Sequence, residues 1–227
     1  SEYPSGRIIA MPDGYILSGS KVNPGYYQPF ILRVNNAGNT LWSQFTPSNN
    51  YSSMHAHYVV DSMLYLTGTA NSLGAWRTMN ISTGEIVQHR EYLADSINWL
   101  YNMHRTPEGN QIMTGNITKD IPGLFRYYGW VQKADPQGQV IWSKIYNAGE
   151  VSNVTASEML ADGTCVLGLY FQPSTQVGII HSALVKIDTA GAVVWARTFT
   201  GTPWLFINDI TQTSDGGFFA TGYTQNI

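Results

Sequence analysis

The sequence predicts an all-β fold, a β-propeller of four-stranded antiparallel blades with four complete blades and half of a fifth, and three observations predict it. Acidic turns recur at Asp13-Gly14, Asp61-Ser62, Glu108-Gly109, Asp162-Gly163 and Asp215-Gly216, spaced 48, 47, 54 and 53 residues apart. After each turn runs a short apolar strand that ends at a glycine: Gly19, Gly68, Gly115, Gly168 and Gly222. Each complete copy then shows a second unit of strand, turn and strand, with the turn glycines Gly38, Gly84, Gly138 and Gly191 in the same place. Four short strands repeated about every 40–50 residues is the spacing of propeller blades.

The elements follow in order within each copy. Strand A leads into the acidic turn, where Asp-Gly tolerates positive φ and reverses the chain into strand B. Strand C is apolar, as in Phe30-Ile31-Leu32-Arg33-Val34 of the first copy and Ala183-Leu184-Val185-Lys186-Ile187 of the fourth. A glycine turn follows, then strand D, as in Thr40-Leu41-Trp42 and Val193-Val194-Trp195. A tryptophan stands four residues after the turn glycine in three copies, at Trp42, Trp142 and Trp195, and Gln88 replaces it in the second. The copies cover about 1–50, 51–96, 97–149, 150–204 and 205–227 of a single domain, 1–227, and the fifth stops after its second strand. Because a propeller removes exposed strand edges by closing on itself, that stop leads us to expect further repeats in a longer protein or ring.

At these residues the chain resembles a known group of repeats. Thr213-Ser214-Asp215-Gly216-Gly217-Phe218-Phe219-Ala220-Thr221-Gly222, together with Lys186-Ile187-Asp188 through Trp195, resembles the propeller repeats of secreted and surface proteins of bacteria, notably the Bacteroidetes. The Gly191 to Trp195 part is similar to quinoprotein-type blades. The resemblance spans almost the whole chain and implies a fold, hosted by adhesins, binding proteins and large secreted proteins alike.

Composition narrows the function. Charged residues are 12% of the chain, the formal net charge is -3, and the 12 Lys and Arg are scattered, which argues against nucleic acid and anionic membranes. No apolar run is long enough to insert in a membrane as a helix. The lone cysteine, Cys165, lies in an apolar run and reads as a buried small hydrophobe with no internal disulfide. No signal peptide is visible; low charge with many Tyr, Thr, Ser, Asn and Gly leads us to expect a bacterial extracellular, cell-surface or periplasmic protein. Asn50, Asn80, Asn116 and Asn153 begin N-x-S/T sequons, acceptors only in a eukaryotic secretory route.

Labelling strands A to D places the A-B and C-D turns on one face and the B-C and D-A connections on the other. We expect all length variation, and the binding function, on the second face. Its aromatics are the candidate binding residues: Tyr26 and Tyr27, Phe125, Tyr127 and Tyr128, Tyr170 and Phe171 at the B-C loops, and Trp99 and Trp204, with Tyr51, at the D-A connections. Aromatic rings with polar handles suit a protein or glycan partner. The favoured reading is a noncatalytic extracellular or surface module that binds or scaffolds through this face.

Two alternatives stand beside it. Four residues before the acidic turns stand His57, His104 and Glu158 of three consecutive copies. If strand A is innermost, these converge on the axis as ligands of a divalent metal, the only cofactor the sequence suggests, in a lyase or hydrolase acting on saccharides. The other alternative is a structural spacer within a larger assembly. No Gly-x-Ser-x-Gly elbow, phosphate loop or Cys-x-x-Cys pair is present, and Asp13, Asp162 and Asp215 read as turn formers before catalysts.

Overall fold

A computed structural model describes residues 7–23, 26–45, 53–92, 97–121, 124–173, 178–200 and 204–225. It is all-β. The first sheet holds β1 (Ile8–Met11), β2 (Gly14–Asn23), β3 (Tyr26–Asn35) and β4 (Thr40–Phe45). The second holds β5 (Ser53–Val60), β6 (Met63–Ala70), β7 (Leu73–Asn80) and β8 (Ile86–Tyr92). The third holds β9 (Asn98–Arg105), β10 (Gln111–Ile121), β11 (Leu124–Ala134) and β12 (Val140–Tyr146), and the fourth β13 (Val151–Met159), β14 (Cys165–Gln172), β15 (His181–Ile187) and β16 (Val193–Phe199). β17 (Trp204–Gln212) pairs with β18 (Phe218–Gln225) as a two-stranded sheet. Every complete sheet keeps its strands in chain order, so each is a simple antiparallel meander.

The chain divides into two compact units, Ser1–Met103 and His104–Ile227. In the first unit, Ile16 and Ile31 of the first sheet pack against Met54, Ala56, Leu64, Leu66 and Met79 of the second, all at most 1% exposed. In the second unit, Ile112 and Val131 of the third sheet meet Val154, Cys165, Leu167, Leu169 and Ile187 of the fourth. The opposite face of the fourth sheet puts Ala156, Val166 and Leu184 against Ile207 and Ile210 of the two-stranded sheet. Alternation along a strand sends successive side chains to opposite faces, and burying both faces explains why the inner strands read as unbroken apolar runs. The fourth strands are different. β4, β8, β12 and β16 are mostly exposed, with only a minority of their positions half-buried or buried.

The turn chemistry carries the repeat. At the C-D turns, Asn35, Asp135 and Asp188 accept backbone N–H bonds from the residues two and four further on, and Asn80 accepts from the backbone N–H groups of Ser82 and Thr83. The turn glycines that follow sit at φ between 75° and 79°, where a side chain is disfavoured. The tryptophan of strand D then reaches the next sheet's turn. Trp42 Nε1 donates to the Ile81 carbonyl at 2.8 Å, and Trp142 Nε1 to the Thr189 carbonyl at 3.3 Å. A Cβ on Gly84 or Gly191 would come within 2.9 Å of those indole rings, so each glycine also clears space for a neighbouring tryptophan.

Two expectations about the loops are corrected. β2 and β3 pair as far as Asn23 and Tyr26, β6 and β7 as far as Ala70 and Leu73, and β10 and β11 as far as Ile121 and Leu124. In the first three B-C connections the paired strands therefore come within two residues of each other, Asn71 and Ser72 make a two-residue hairpin turn with both at positive φ in the second, and the aromatics beside these connections stand on long strands. Only the fourth B-C connection, between Gln172 and His181, is long. Length also varies on the other face, since the A-B turn is two residues at Asp61-Ser62 and five between Met159 and Cys165.

Candidate functional site

The residues expected to bind fall into three groups. Tyr26, Tyr27 and Phe125 lie on β3 and β11, but their side chains, like Tyr51, are outside the described residues. Tyr128 and Phe171 are buried, at 9% and 8% exposure, with Phe171 edge-on to His181. Trp99 is half-buried on β9 in the first unit. Tyr127, Tyr170 and Trp204 form the third group; Tyr127 is exposed, and Tyr170 and Trp204 both meet Phe206.

In the second unit the starts of β11, β13 and β17 and the ends of β14 and β18 lie at the end where the B-C and D-A connections emerge. Tyr170 stands opposite Asn153 and Phe206 opposite Tyr223 in equivalent registers of adjacent sheets. Asn153 Nδ2 donates to the Tyr170 hydroxyl at 3.0 Å, fixing that ring. The Phe206 ring meets Tyr170 edge-on at 5.0 Å, Trp204 edge-on at 6.2 Å and Tyr223 in a stack at 4.7 Å. Burial raises the Tyr170 phenol above its ordinary pKa, against the Asn153 hydrogen bond, which lowers it. Tyr127 is 37% exposed and Tyr223 50%.

The long fourth loop is tied into this rim. Trp204 Nε1 donates to the Gly178 carbonyl at 2.7 Å, Leu205 N to the Ile180 carbonyl, and Ser182 Oγ to the Leu205 carbonyl. The result is a surface of aromatic rings and hydroxyls in which Asn153 holds the Tyr170 hydroxyl, with the Arg126–Glu150 ion pair beside Tyr127. Phe206 and Tyr223 were not singled out from the sequence. The signal lay in the register: Phe206 and Tyr223 repeat, one sheet on, the cross-strand pair that Asn153 and Tyr170 make.

The residues expected to ligate a metal are placed apart in kind. His57 belongs to the first unit, where its Nε2 lies 2.6 Å from Thr67 Oγ1. It is the extra residue of a β-bulge between Ala56 and Tyr58. In the second unit, His104 Nε2 lies 3.0 Å from Ser157 Oγ, which is also 3.2 Å from Thr114 Oγ1. Glu158, the next residue on β13, turns the other way, and its Oε1 accepts from Gln212 N at 3.4 Å. His104 and Glu158 thus lie on opposite faces of one strand. Among the described residues, no group of three His, Cys, Asp and Glu side chains is placed to hold a metal ion. Counting back from the acidic turn does not preserve facing, because A-B turns differ in length and bulges insert a residue, and each one-residue offset reverses the side.

The remaining groups are structural. Cys165 is 1% exposed, and burial pushes its thiol up to about 12, so it is no nucleophile. Hydrogen bonds from Thr164 and Thr213 hold Asp162 and Asp215 below the usual carboxylate range, while Asp13 pairs with Arg33 at 2.6 Å. Asn116 and Asn153, two of the sequon asparagines, are buried, and Asn80 caps a turn.

No protein-family profile matches the sequence, and no curated protein matches it. Solved structures do. The chain is similar to the Dos1 propeller at 14% identity and a TM-score of 0.55, covering 88% of this chain and 47% of that one, so it spans about half the length of that propeller chain. It is similar to an endo-arabinase from Bacteroides thetaiotaomicron at 10% identity and a TM-score of 0.56, covering 100% of this chain and 92% of that one. A glycoside hydrolase matches at 9% identity and a TM-score of 0.52, covering 98% and 62%. With its meander sheets and their packed faces, the protein has a β-propeller fold; identities this low carry the fold alone.

Proposed function

We propose that this propeller is a noncatalytic binding module that engages a glycan through the aromatic rim of its second unit. The observation that carries the reading is the contact group of Tyr170, Trp204, Phe206 and Tyr223, part-exposed at the loop end of adjacent sheets, with the exposed Tyr127 at the same end of β11. Sugar rings offer apolar C–H faces that lie on aromatic rings and hydroxyls that bond phenols and amides, so part-exposed aromatic rings with phenol hydroxyls fit that chemistry. Two structural neighbours bear the names of glycan-cleaving enzymes; their likeness supplies the fold, and the reading rests on the rim. An exported or surface setting agrees with the low charge of the chain.

A variant with Tyr127, Tyr170 and Trp204 all changed to Ala, screened on an array of neutral oligosaccharides, tests the proposal. The native protein should bind, and the variant should lose about tenfold or more in affinity while its circular dichroism spectrum is unchanged. Binding retained by a folded variant sinks the reading. If no glycan binds and a protein captured from the native source is lost by the same variant, the rim stands and the partner is a protein.

A further inference from the structure

A second surface lies away from the aromatic rim, on the outer strands of the third and fourth sheets. There β12 and β16 are the last strands of their sheets, bonded only to β11 and β15, so each presents one edge with no strand beside it among the described residues. Between them runs an open groove of about 510 Å³, within the size range of sites that take small ligands and short segments. Leu169 and Val185 lie at its floor with Tyr146, whose hydroxyl donates to the Gly191 carbonyl at 2.7 Å, and Val193 and Ala196 stand on the β16 side. Val193 is 56% exposed and Ile145 41%. Solvent-facing aliphatics beside a free strand edge are what natural sheets normally suppress.

The lining carries one charge. Lys144 is its only ionisable side chain besides Tyr146, its ammonium 5.7 Å from the centre of the Trp142 ring, and no carboxylate lines the groove. We infer that the groove receives an extended peptide segment of a partner protein, with an aliphatic side chain seated over Tyr146 and Val193 and an Asp or Glu on Lys144. Strand edges favour an extended backbone, since main-chain groups there can add a strand. The aliphatic lining sets the neighbouring side chains, and the lone cation sets the sign of the charged one. A sugar would find a single aromatic ring in this lining, Tyr146.

A phage-displayed library of random heptapeptides, selected on the whole protein, tests this. Selected peptides should carry an acid beside aliphatic residues and bind, as fluorescein-labelled synthetic copies, about tenfold more weakly to Lys144→Glu and to Ala196→Trp, which fills the groove. Changing Asp to Lys in a selected peptide should restore its binding to Lys144→Glu. The Tyr127, Tyr170 and Trp204 triple Ala variant should bind the same peptides as the native protein does, which separates this surface from the aromatic rim. The inference is overturned if selection enriches nothing over the Ala196→Trp protein, if basic peptides are enriched, or if Lys144→Glu leaves affinity unchanged.

Discussion

At the residue scale, the acidic turns are held by threonines rather than by catalytic demands. Asp162 and Asp215 are both depressed below the usual carboxylate range, first by hydrogen bonds from the Thr164 and Thr213 hydroxyls and then by the backbone N–H groups of Thr164 and Gly217. A carboxyl whose folded pKa is depressed contributes stability that is fully present above its unfolded value, about 4, and lost as pH falls through the folded value. Thermal melts should therefore show stability falling below about pH 4. Replacing Thr164 and Thr213 with Val should shrink the difference in melting temperature between pH 6 and pH 3. An undiminished difference would mean that other carboxylates set the acid response.

Two turn glycines allow a sharper residue-scale contrast. Gly38 and Gly191 adopt φ of 79° and 75°, yet a Cβ at Gly38 would meet nothing within 4 Å while one at Gly191 would lie 2.9 Å from Trp142. Gly38→Ala should cost about 1–2 kcal/mol from backbone strain alone. Gly191→Ala should cost about 1–3 kcal/mol more, because the indole must move from its seat on the turn. Urea denaturation of the two variants measures the gap, and equal midpoints would show that the tryptophan contact adds nothing.

At the scale of elements, the repeat was legible because its signals are local. An Asp-Gly or Asn-x-x-Gly turn reports its own backbone, so the A-B and C-D turns and the four strands of each copy could be read directly. The strand ends were less legible. β2, β3, β10 and β11 run 10 or 11 residues and carry Tyr26, Tyr27, Tyr127 and Tyr128 on strand rather than loop, since cross-strand pairing extends a hairpin wherever both sides can pair. The bulge at His57 is a further case. Bulges also fall at Thr155 and Asn208 on the first strands of the fourth and fifth sheets, so the row that matches His57 is Thr155 and Asn208, not His104 and Glu158. Nothing in the residues alone marks where a ladder slips, because the slip answers to packing against the neighbouring sheet.

At the scale of the whole molecule, charge should govern what the protein ignores. The formal net charge is -3, the 12 Lys and Arg are scattered along the sequence, and Arg33, Arg126 and Lys186 pair with Asp13, Glu150 and Asp162. The protein should pass through immobilised double-stranded DNA at about 0.1 M salt without retention. Retention that fades with added salt would reveal a concentrated basic surface.

The sequence by itself determined the period, the number of complete sheets, the order of their strands and the turn residues, because each of these is decided within a few neighbouring positions. It also determined that Cys165 would be an inert core residue. The tertiary structure alone decided which aromatics meet. Tyr170 and Trp204 come from different strands, β14 and β17, and meet through Phe206, whereas Tyr128 and Phe171, aromatics at positions next to Tyr127 and Tyr170, are buried. It decided likewise that His104 and Glu158 part company across β13. The reason in both cases is the strand's two-residue period: one residue of slip, from a bulge or a longer turn, moves a side chain to the other face, and that slip is set by contacts between sheets far apart in sequence.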